Sequence, residues 1–401
     1  MILWELRKII KSKFLIISLM LIIAIFIYHN KTNVIPEDIE NVVSMNLFFE
    51  ELYHNQEEYD NYALQYYEEL DGKGLAQILT LEGVYLDRAY MDYMVIGELK
   101  NKKQYAQRGY EELMTDIVRT TTVYMCKSNS LYEKRLHEKS IEIYNTRVDI
   151  EPVYEKGLER YLTWIQNEPI VGMVLILWCV VLAAQVVGFE ERKNLKLMVA
   201  TTKRGRRDIL LSKIAAIAII VAVVKFIFII ANIIIGLTVY RINFRMFLAP
   251  IQSLERYQLC SFHVSILGYF MLVGLGQLVL LELAVCVTAI MAYFIKPVPA
   301  AGISLVLWEA PVYLLSRQTW DTYLEMETFG KIRQYAPWAL NSIRDYFLNF
   351  DYGRFINFPV NRFVTCIIVS VLVMALCVGM IYAFAERNNR RMSHGISSKG
   401  N

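Results

Sequence analysis

Three charged residues lie inside long apolar stretches of the sequence: Lys225, Glu282 and Glu309. A charged group inside a bilayer is costly, and it often lines a substrate or ion path or carries protons. Such groups can also pair with one another between helices. Glu309 stands two residues before Pro311, which disturbs a helix, and both interpretations stay open for it. For Lys225 and Glu282 the pattern favours a structural pair, Lys225 with Glu282 or with Glu309.

No other set of residues has the spacing of a catalytic or metal site. A phosphate-binding loop requires G-x-x-x-x-G-K-S/T, which does not occur; Asp71-Gly-Lys-Gly74 lacks that spacing. The five His and six Cys form neither a C-x-x-C nor an H-E-x-x-H pattern. A disulfide between Cys126 and Cys260 is an alternative that the pattern disfavours. The sequence therefore predicts a protein that is not an enzyme, with no catalytic residues, no metal site and no cofactor of its own.

The most concentrated positive charge lies at residues 189–208, between two apolar segments. After Glu190 and Glu191 this stretch carries seven Lys and Arg residues before the next segment begins. A short basic loop between two membrane spans is retained on the cytoplasmic side. Such a loop can bind anionic lipid headgroups and do nothing more. Its helical pattern, followed by a Gly-Arg break and by Lys213 at the start of the next segment, favours the docking of a partner.

The apolar residues, 55% of the chain, cluster into segments long enough to cross a bilayer. About 20 helical residues cross a hydrocarbon core of roughly 30 Å. The Lys and Arg residues near both termini place both ends in the cytoplasm, so the number of spans must be even. The predicted fold is an all-α polytopic membrane protein with six transmembrane helices. Its segments are residues 1–28 (an N-terminal interfacial helix and a retained first span), 169–188, 209–240, 263–295 (one long, tilted helix), 298–316, 362–386, and a cytoplasmic tail at 387–401.

Apart from the basic loop at residues 189–208, the long polar stretches fall outside the cell on this topology. The largest, residues 29–168, is acidic and is predicted to be a large helical extracytoplasmic domain between helices 1 and 2. Its apolar residues from Tyr110 to Val118 recur with a helical period. Its many tyrosines are interpreted as core residues with a wet hydroxyl rather than as a ligand platform. An outer interfacial segment is predicted at residues 241–262, and a second extracytoplasmic segment with an aromatic lip at 317–361.

The order of these features resembles that of the type-2 ATP-binding-cassette (ABC) exporter permeases. The resemblance is carried by Trp4-Glu-Leu-Arg-Lys-Ile-Ile-Lys-Ser-Lys13, by the large outer insertion, by the stretch from Glu190 to Lys213, and by Gln252-Ser253. It implies a permease that pairs with a second copy or a related permease and binds a cytoplasmic dimer of ABC ATPases. ATP and Mg²⁺ would be held by those partners. The ATPase-coupling residues that the resemblance implies are Glu190, Glu191, Leu197, Arg204 and Arg206.

The resemblance also implies a multi-pass protein of a bacterial plasma membrane, with the lipid bilayer and not nucleic acid as its surroundings. Its expected function is the export of an amphiphile such as a peptide, an antibiotic or a lipid. Two features depart from the simplest members of the family: the outer loop is a domain, and Asn194 stands where a Gly would follow the Glu pair. The alternative is a membrane sensor or immunity module. Its outer domain would bind a ligand and signal to a cytoplasmic partner without bulk transport.

Overall fold

The computed structural model of the chain is mostly helical. It describes residues 1–29, 107–146, 148–149, 161–162, 169–192, 205–317, 336–341, 345–348, 350–355 and 357–397. The helical class of the fold is confirmed. The placement of domains on the two sides of a membrane stays a prediction.

The elements are numbered here in chain order. The α-helices are α1 Ile2–Ile10, α2 Lys13–His29, α3 Gln107–Lys127, α4 Leu131–Asn145, α5 Pro169–Arg192, α6 Gly205–Thr238, α7 Phe244–Leu248, α8 Ile266–Phe294, α9 Pro297–Arg317, α10 Asp345–Leu348 and α11 Arg362–Ser397. Short 3₁₀ helices lie at Ile251–Ser253, Glu255–Tyr257 and Pro337–Asn341. Two antiparallel strands, β1 Tyr352–Phe355 and β2 Phe358–Asn361, form a hairpin in which Phe355 lies opposite Phe358.

Three helices of the described chain are long and apolar enough to cross a membrane. Their qualifying parts are Asp208–Thr238 of α6, Ile266–Phe294 of α8 and Arg362–Arg387 of α11. A fourth is added if α1 and α2, which meet at a bend of 65°, are counted as one broken span. The apolar part of α5, Gly172–Gly188, is shorter. The chain therefore has the character of a membrane protein, while the count of six spans remains an expectation.

Helix α8 lies at the centre of the bundle and packs against α5, α6, α9 and α11. It begins after Ser265, whose hydroxyl accepts a hydrogen bond from the Gly268 amide (3.1 Å). It continues without a break past Gly274, as the interpretation of this run as one helix required. Gly274 packs directly on Ile229 of α6. The contact is so close that a Cβ at position 274 would overlap the Ile229 side chain. The absence of a side chain therefore lets α6 and α8 approach closely.

Residues 239–265, called the connector below, join α6 to α8 and fold against the bundle. The connector closes on itself through a bridge between Pro250 and Ser265. Its centre is Gln252, which is fully buried and donates its side-chain amide to the carbonyls of Cys260 (3.3 Å) and Phe262 (2.8 Å). The apolar pattern of this stretch predicts an amphipathic interfacial segment. The structure buries most of the large apolar side chains of the connector, because the closed turn folds both of its arms inward. The position of the connector at a membrane interface stays a prediction.

The helical period predicted around Tyr110 is confirmed, since α3 covers that stretch. Helix α3 packs against α4. Tyr110, Met114 and Tyr144 form a small core that is separate from the core of the bundle. Burial raises the pKa of the Tyr144 phenol, so this hydroxyl remains a neutral hydrogen-bond donor. These tyrosines pack as core residues, in agreement with the interpretation from sequence.

The two cysteines that could have formed a disulfide are both free. Cys126, at the end of α3, is exposed, and Cys260 is buried in the connector. The Cys260 thiol points to the Phe262 carbonyl at 3.5 Å. The alternative of a Cys126–Cys260 bridge is therefore wrong for this structure.

A maleimide reagent at pH 8 is expected to label Cys126 and to leave Cys260 unmodified. The thiolate is the reactive form, and burial raises the pKa of Cys260 to about 12, so Cys260 stays a thiol at that pH. Mass spectrometry of the folded, detergent-solubilised protein would locate the label. The Cys126→Ser variant serves as the control, because it should lose all fast labelling. Rapid modification of Cys260 in the folded protein would contradict the packing described for the connector.

Candidate functional site

The predicted coupling residues that the structure describes lie at the end of α5 and at the start of α6. Glu190 and Glu191 lie on the last turn of α5, which ends at Arg192. Arg206 lies on the first turn of α6, which begins at Gly205. Asp208 in the first turn of α6 complements the positive end of that helix. Three of the five predicted residues are thus placed on the helix ends that flank the basic segment. Leu197 and Arg204 lie outside the described residues.

The last turns of α5 rest on the start of α9. A Cβ added at Gly188 would overlap the ring of Pro297. Pro297 is the first residue of α9, a position at which its fixed φ and missing N–H suit a helix. The turn between α8 and α9 therefore packs against α5 only two residues before Glu190. The position of the Glu190 turn is set by this contact.

The N-terminal helix α1 packs against α6. It buries Glu5 and Ile9, while Trp4 stays largely exposed. The Lys8 ammonium lies 5.1 Å from the centre of the Trp4 ring and 3.9 Å from the Glu5 carboxylate. A helix with one buried face, one basic face and an exposed Trp has the composition of an interfacial helix. Its location at a membrane surface remains a prediction.

Within the bundle, Lys225 of α6 reaches a neutral partner. Its side chain is 9% exposed, and its ammonium donates a hydrogen bond to Oε1 of Gln277 on α8. No carboxylate of the described chain lies within 4.0 Å of this ammonium. The structural pair predicted for Lys225 with Glu282 or Glu309 is therefore not formed. Glu282 follows Gln277 by five residues, which places it about 140° further round α8.

Glu282 nevertheless belongs to the same polar group. The thiol of Cys179, fully buried on α5, lies within electrostatic reach of both Glu282 and Lys225. Glu282 itself has no hydrogen-bond or ion-pair partner in the described part of the chain. Helices α5, α6 and α8 thus bring a thiol, an ammonium, an amide and a carboxylate into one apolar core. The group thus contains one basic side chain, Lys225, and one acidic side chain, Glu282.

Glu309 lies apart from this group, on α9. Both carboxylate oxygens are buried and have no hydrogen-bond partner among the described residues. The carboxylate interacts electrostatically with the backbone of Leu177 on α5, but the contact falls short of hydrogen-bond geometry. The indole N–H of the preceding Trp308 is also buried without a partner in this part of the chain. A buried carboxylate without a hydrogen-bond partner is costly. Its environment in this structure does not choose between the two interpretations of Glu309, one as a lining residue or proton carrier and the other as a structural group.

Two polar contacts of α6 have little signal in the amino-acid sequence. Gln277 is visible as a polar residue in an apolar helix, but its selection as the partner of Lys225 depends on how α8 is rotated. The Tyr161 hydroxyl donates a hydrogen bond to the carbonyl of Asn232, and its ring packs over Gly236. The only sequence signal for this contact is a Gly near the end of an apolar helix.

The described residues contain no group of three or more His, Cys, Asp or Glu side chains that could hold a metal ion. Comparison with protein-family models, with curated proteins and with solved structures finds no match to this chain.

Proposed function

We propose that this chain is the transmembrane permease subunit of an ABC exporter. On this proposal it crosses a bacterial plasma membrane six times with both termini inside, and it pairs with a second copy or a related permease. A cytoplasmic dimer of ABC ATPases supplies the energy and holds ATP and Mg²⁺. The exported substrate is an amphiphile such as a peptide, an antibiotic or a lipid.

The observation that carries the proposal is the arrangement at the ends of α5 and α6. Acidic residues lie on the last turn of one helix and Arg206 lies on the first turn of the next, on either side of a basic segment. Gly188 fixes the end of α5 against Pro297 of α9. A push on the segment between the two helices would therefore reach α5, α6 and α9 together. This is the property that a loop needs if it is to pass ATPase closure to a bundle.

On this proposal the substrate crosses the bundle along a path that is lined by apolar residues and by the polar side chains around Lys225. An apolar bundle suits the tail of an amphiphile, and the ammonium, amide and carboxylate groups suit its polar part. Glu309, which has no close counter-charge in the described chain, would act as a second polar position on α9.

The sensor alternative is favoured by one observation. Helix α4 contacts the β1–β2 hairpin, and β2 leads directly into α11. A ligand that moved the outer helices could thereby act on an apolar helix without any transport.

Affinity purification of the detergent-solubilised chain from its native membrane tests the exporter proposal. A P-loop ATPase and its activity are expected to co-purify. The combined substitution Glu190→Ala, Arg204→Ala and Arg206→Ala should lower the recovered ATPase at least tenfold, because it removes the charges expected at the docking surface.

A second triple substitution serves as the matched control. Arg119, Glu133 and Lys134 are exposed on α3 and α4, and their replacement by Ala removes the same number of charges of each sign. This variant should retain the ATPase. Recovery of the chain alone, with no ATPase activity in mild detergent, would count against the exporter and favour the sensor.

A further inference from the structure

Helix α4 contacts the β1–β2 hairpin through two arginines, one on each side of the contact. The Arg135 guanidinium lies 4.3 Å from the centre of the Phe358 ring. It also donates a hydrogen bond to the Asn357 carbonyl at 3.2 Å. On the neighbouring side, the Arg354 guanidinium of β1 lies 5.2 Å from the Tyr132 ring of α4. Two reciprocal cation–π contacts and one hydrogen bond therefore join the start of α4 to the hairpin.

The other end of α4 is fastened to the connector. The Tyr144 hydroxyl donates a hydrogen bond to the Leu259 carbonyl at 3.1 Å. The Tyr144 ring packs 6.0 Å from that of Phe350, which stacks on Tyr352 at 4.4 Å. Leu259 and Phe350 also pack on the small core of α3 and α4. Helix α4 thus bridges the connector and the hairpin.

The hairpin also contacts the start of α11 through an ion pair and hydrogen bonds. Asp351 forms an ion pair with Arg362 at 2.8 Å, and its backbone carbonyl accepts a hydrogen bond from the Arg362 amide at 3.2 Å. The Asn361 side chain accepts a hydrogen bond from the amide of Val364 at 3.3 Å and so caps the helix. Phe363, which follows Arg362, packs edge-on against Phe262 of the connector, with ring centres 6.1 Å apart. The start of α11 is therefore defined by contacts that lead back to α4.

We propose that α3 and α4, residues Gln107–Asn145, form a strap that couples the outer region of the chain to the first turn of α11. The strap grips the hairpin through Arg135 and the connector through Tyr144. When α4 is displaced, the Arg135 contacts break, the hairpin is freed from the strap, and the cap of α11 loosens. This coupling goes beyond the proposed transport function and does not depend on it.

The contacts of Arg135 are weaker than the ion pair that holds the hairpin to α11, and this difference makes release possible. The contacts of Arg135 are solvent-exposed, so each contributes little and can break without cost to the bundle. Asp351 and Arg362 are 15% and 23% exposed, so their ion pair is less screened by solvent. The Arg135 contacts should therefore open first, and the hairpin should then become mobile together with the first turn of α11, to which it stays attached.

Hydrogen exchange of the full-length protein in lipid nanodiscs tests the coupling. Arg135→Ala is expected to speed exchange of the amides of residues 352–366 about tenfold, because a cation–π contact and a hydrogen bond are lost. Lys139→Ala is the matched control. Lys139 lies one turn further along α4, and within the described part of the chain its only bond is to Glu142 of the same helix (2.8 Å), so exchange at 352–366 should not change. Faster exchange confined to residues 352–358, with residues 362–366 unchanged, would overturn the proposal.

A second variant excludes simple unfolding as the cause. In a Cys126→Ser background, Tyr132→Cys and Arg354→Cys would be joined by a short bis-maleimide. The crosslink should slow exchange at residues 362–366 relative to the same protein without crosslinker. Because unfolding can only speed exchange, a slower rate would support the strap. An unchanged rate after complete crosslinking would contradict it.

Discussion

Gly188→Val is expected to destabilise the bundle by about 3 kcal/mol, at the upper end of what overpacking usually costs. The reason is the contact of Gly188 with the start of α9. A Cβ at this position would lie 2.7 Å from the Cβ of Pro297 and closer still to its Cγ. The Pro297 ring is rigid and begins a helix, so it cannot rotate away. The helix ends must separate, which also moves the turn that carries Glu190 and Glu191.

Thermal unfolding in detergent, followed by circular dichroism, would measure this effect as a lowered Tm. Gly302→Val is the matched control. Gly302 also lies in a helix, so the change carries the same cost in helix propensity, but nothing lies within 4 Å of its added Cβ. Equal Tm values for the two variants would show that α5 and α9 do not meet as described.

The second large effect is expected at Gln277, and it should exceed the effect of removing its charged partner. Gln277→Leu leaves the Lys225 ammonium buried without a hydrogen-bond acceptor, which should destabilise the bundle by about 3 kcal/mol. Lys225→Met removes the charge and leaves only an amide unsatisfied, so its expected cost is about 1 kcal/mol. The double variant should be close to the wild type, because a buried polar pair replaced by apolar residues of similar size is often neutral.

A double-mutant cycle of unfolding free energies in mixed micelles would measure this coupling. Gln185→Leu is the control. Gln185 lies on α5 of the same bundle and has no hydrogen-bond partner in the described chain, so its replacement should cost little. Additive effects of the Lys225 and Gln277 substitutions would mean that the two side chains do not interact in solution. The Lys225→Met variant also separates the roles left open for Lys225. If it is stable but inactive in transport, Lys225 serves the path; if it is stable and active, Lys225 is structural.

Several elements could be predicted because their signals are local. The run through Gly274 was interpreted as one helix, and α8 is uninterrupted from Ile266 to Phe294. The period around Tyr110 predicted α3. The break near Pro297 was visible because proline cannot continue a helix, and α9 begins at that residue. In each case composition or periodicity within some 20 residues carries the information.

The connector and the β1–β2 hairpin were not predicted in their observed form, because their folds depend on distant residues. The sequence of the connector has only an amphipathic pattern. Its closed turn forms because Pro250 pairs with Ser265, fifteen positions away. The hairpin contains Pro359 and Gly353 and lacks a clear alternation of polar and apolar residues. The sequence therefore predicts only an aromatic segment at residues 317–361, without a hairpin.

The amino-acid sequence by itself determined which parts of this protein are apolar helices, where they break and where positive charge collects, because each of these properties resides in neighbouring residues. Tertiary structure alone decided which groups meet. The choice of Gln277 over Glu282 for Lys225 is set by the rotation of α8 against α6. The Arg135–Asn357 hydrogen bond joins residues 222 positions apart, and the Tyr144–Leu259 bond joins residues 115 positions apart. Contacts at such separations depend on which elements pack together, and the periodicity within one element does not specify its partner.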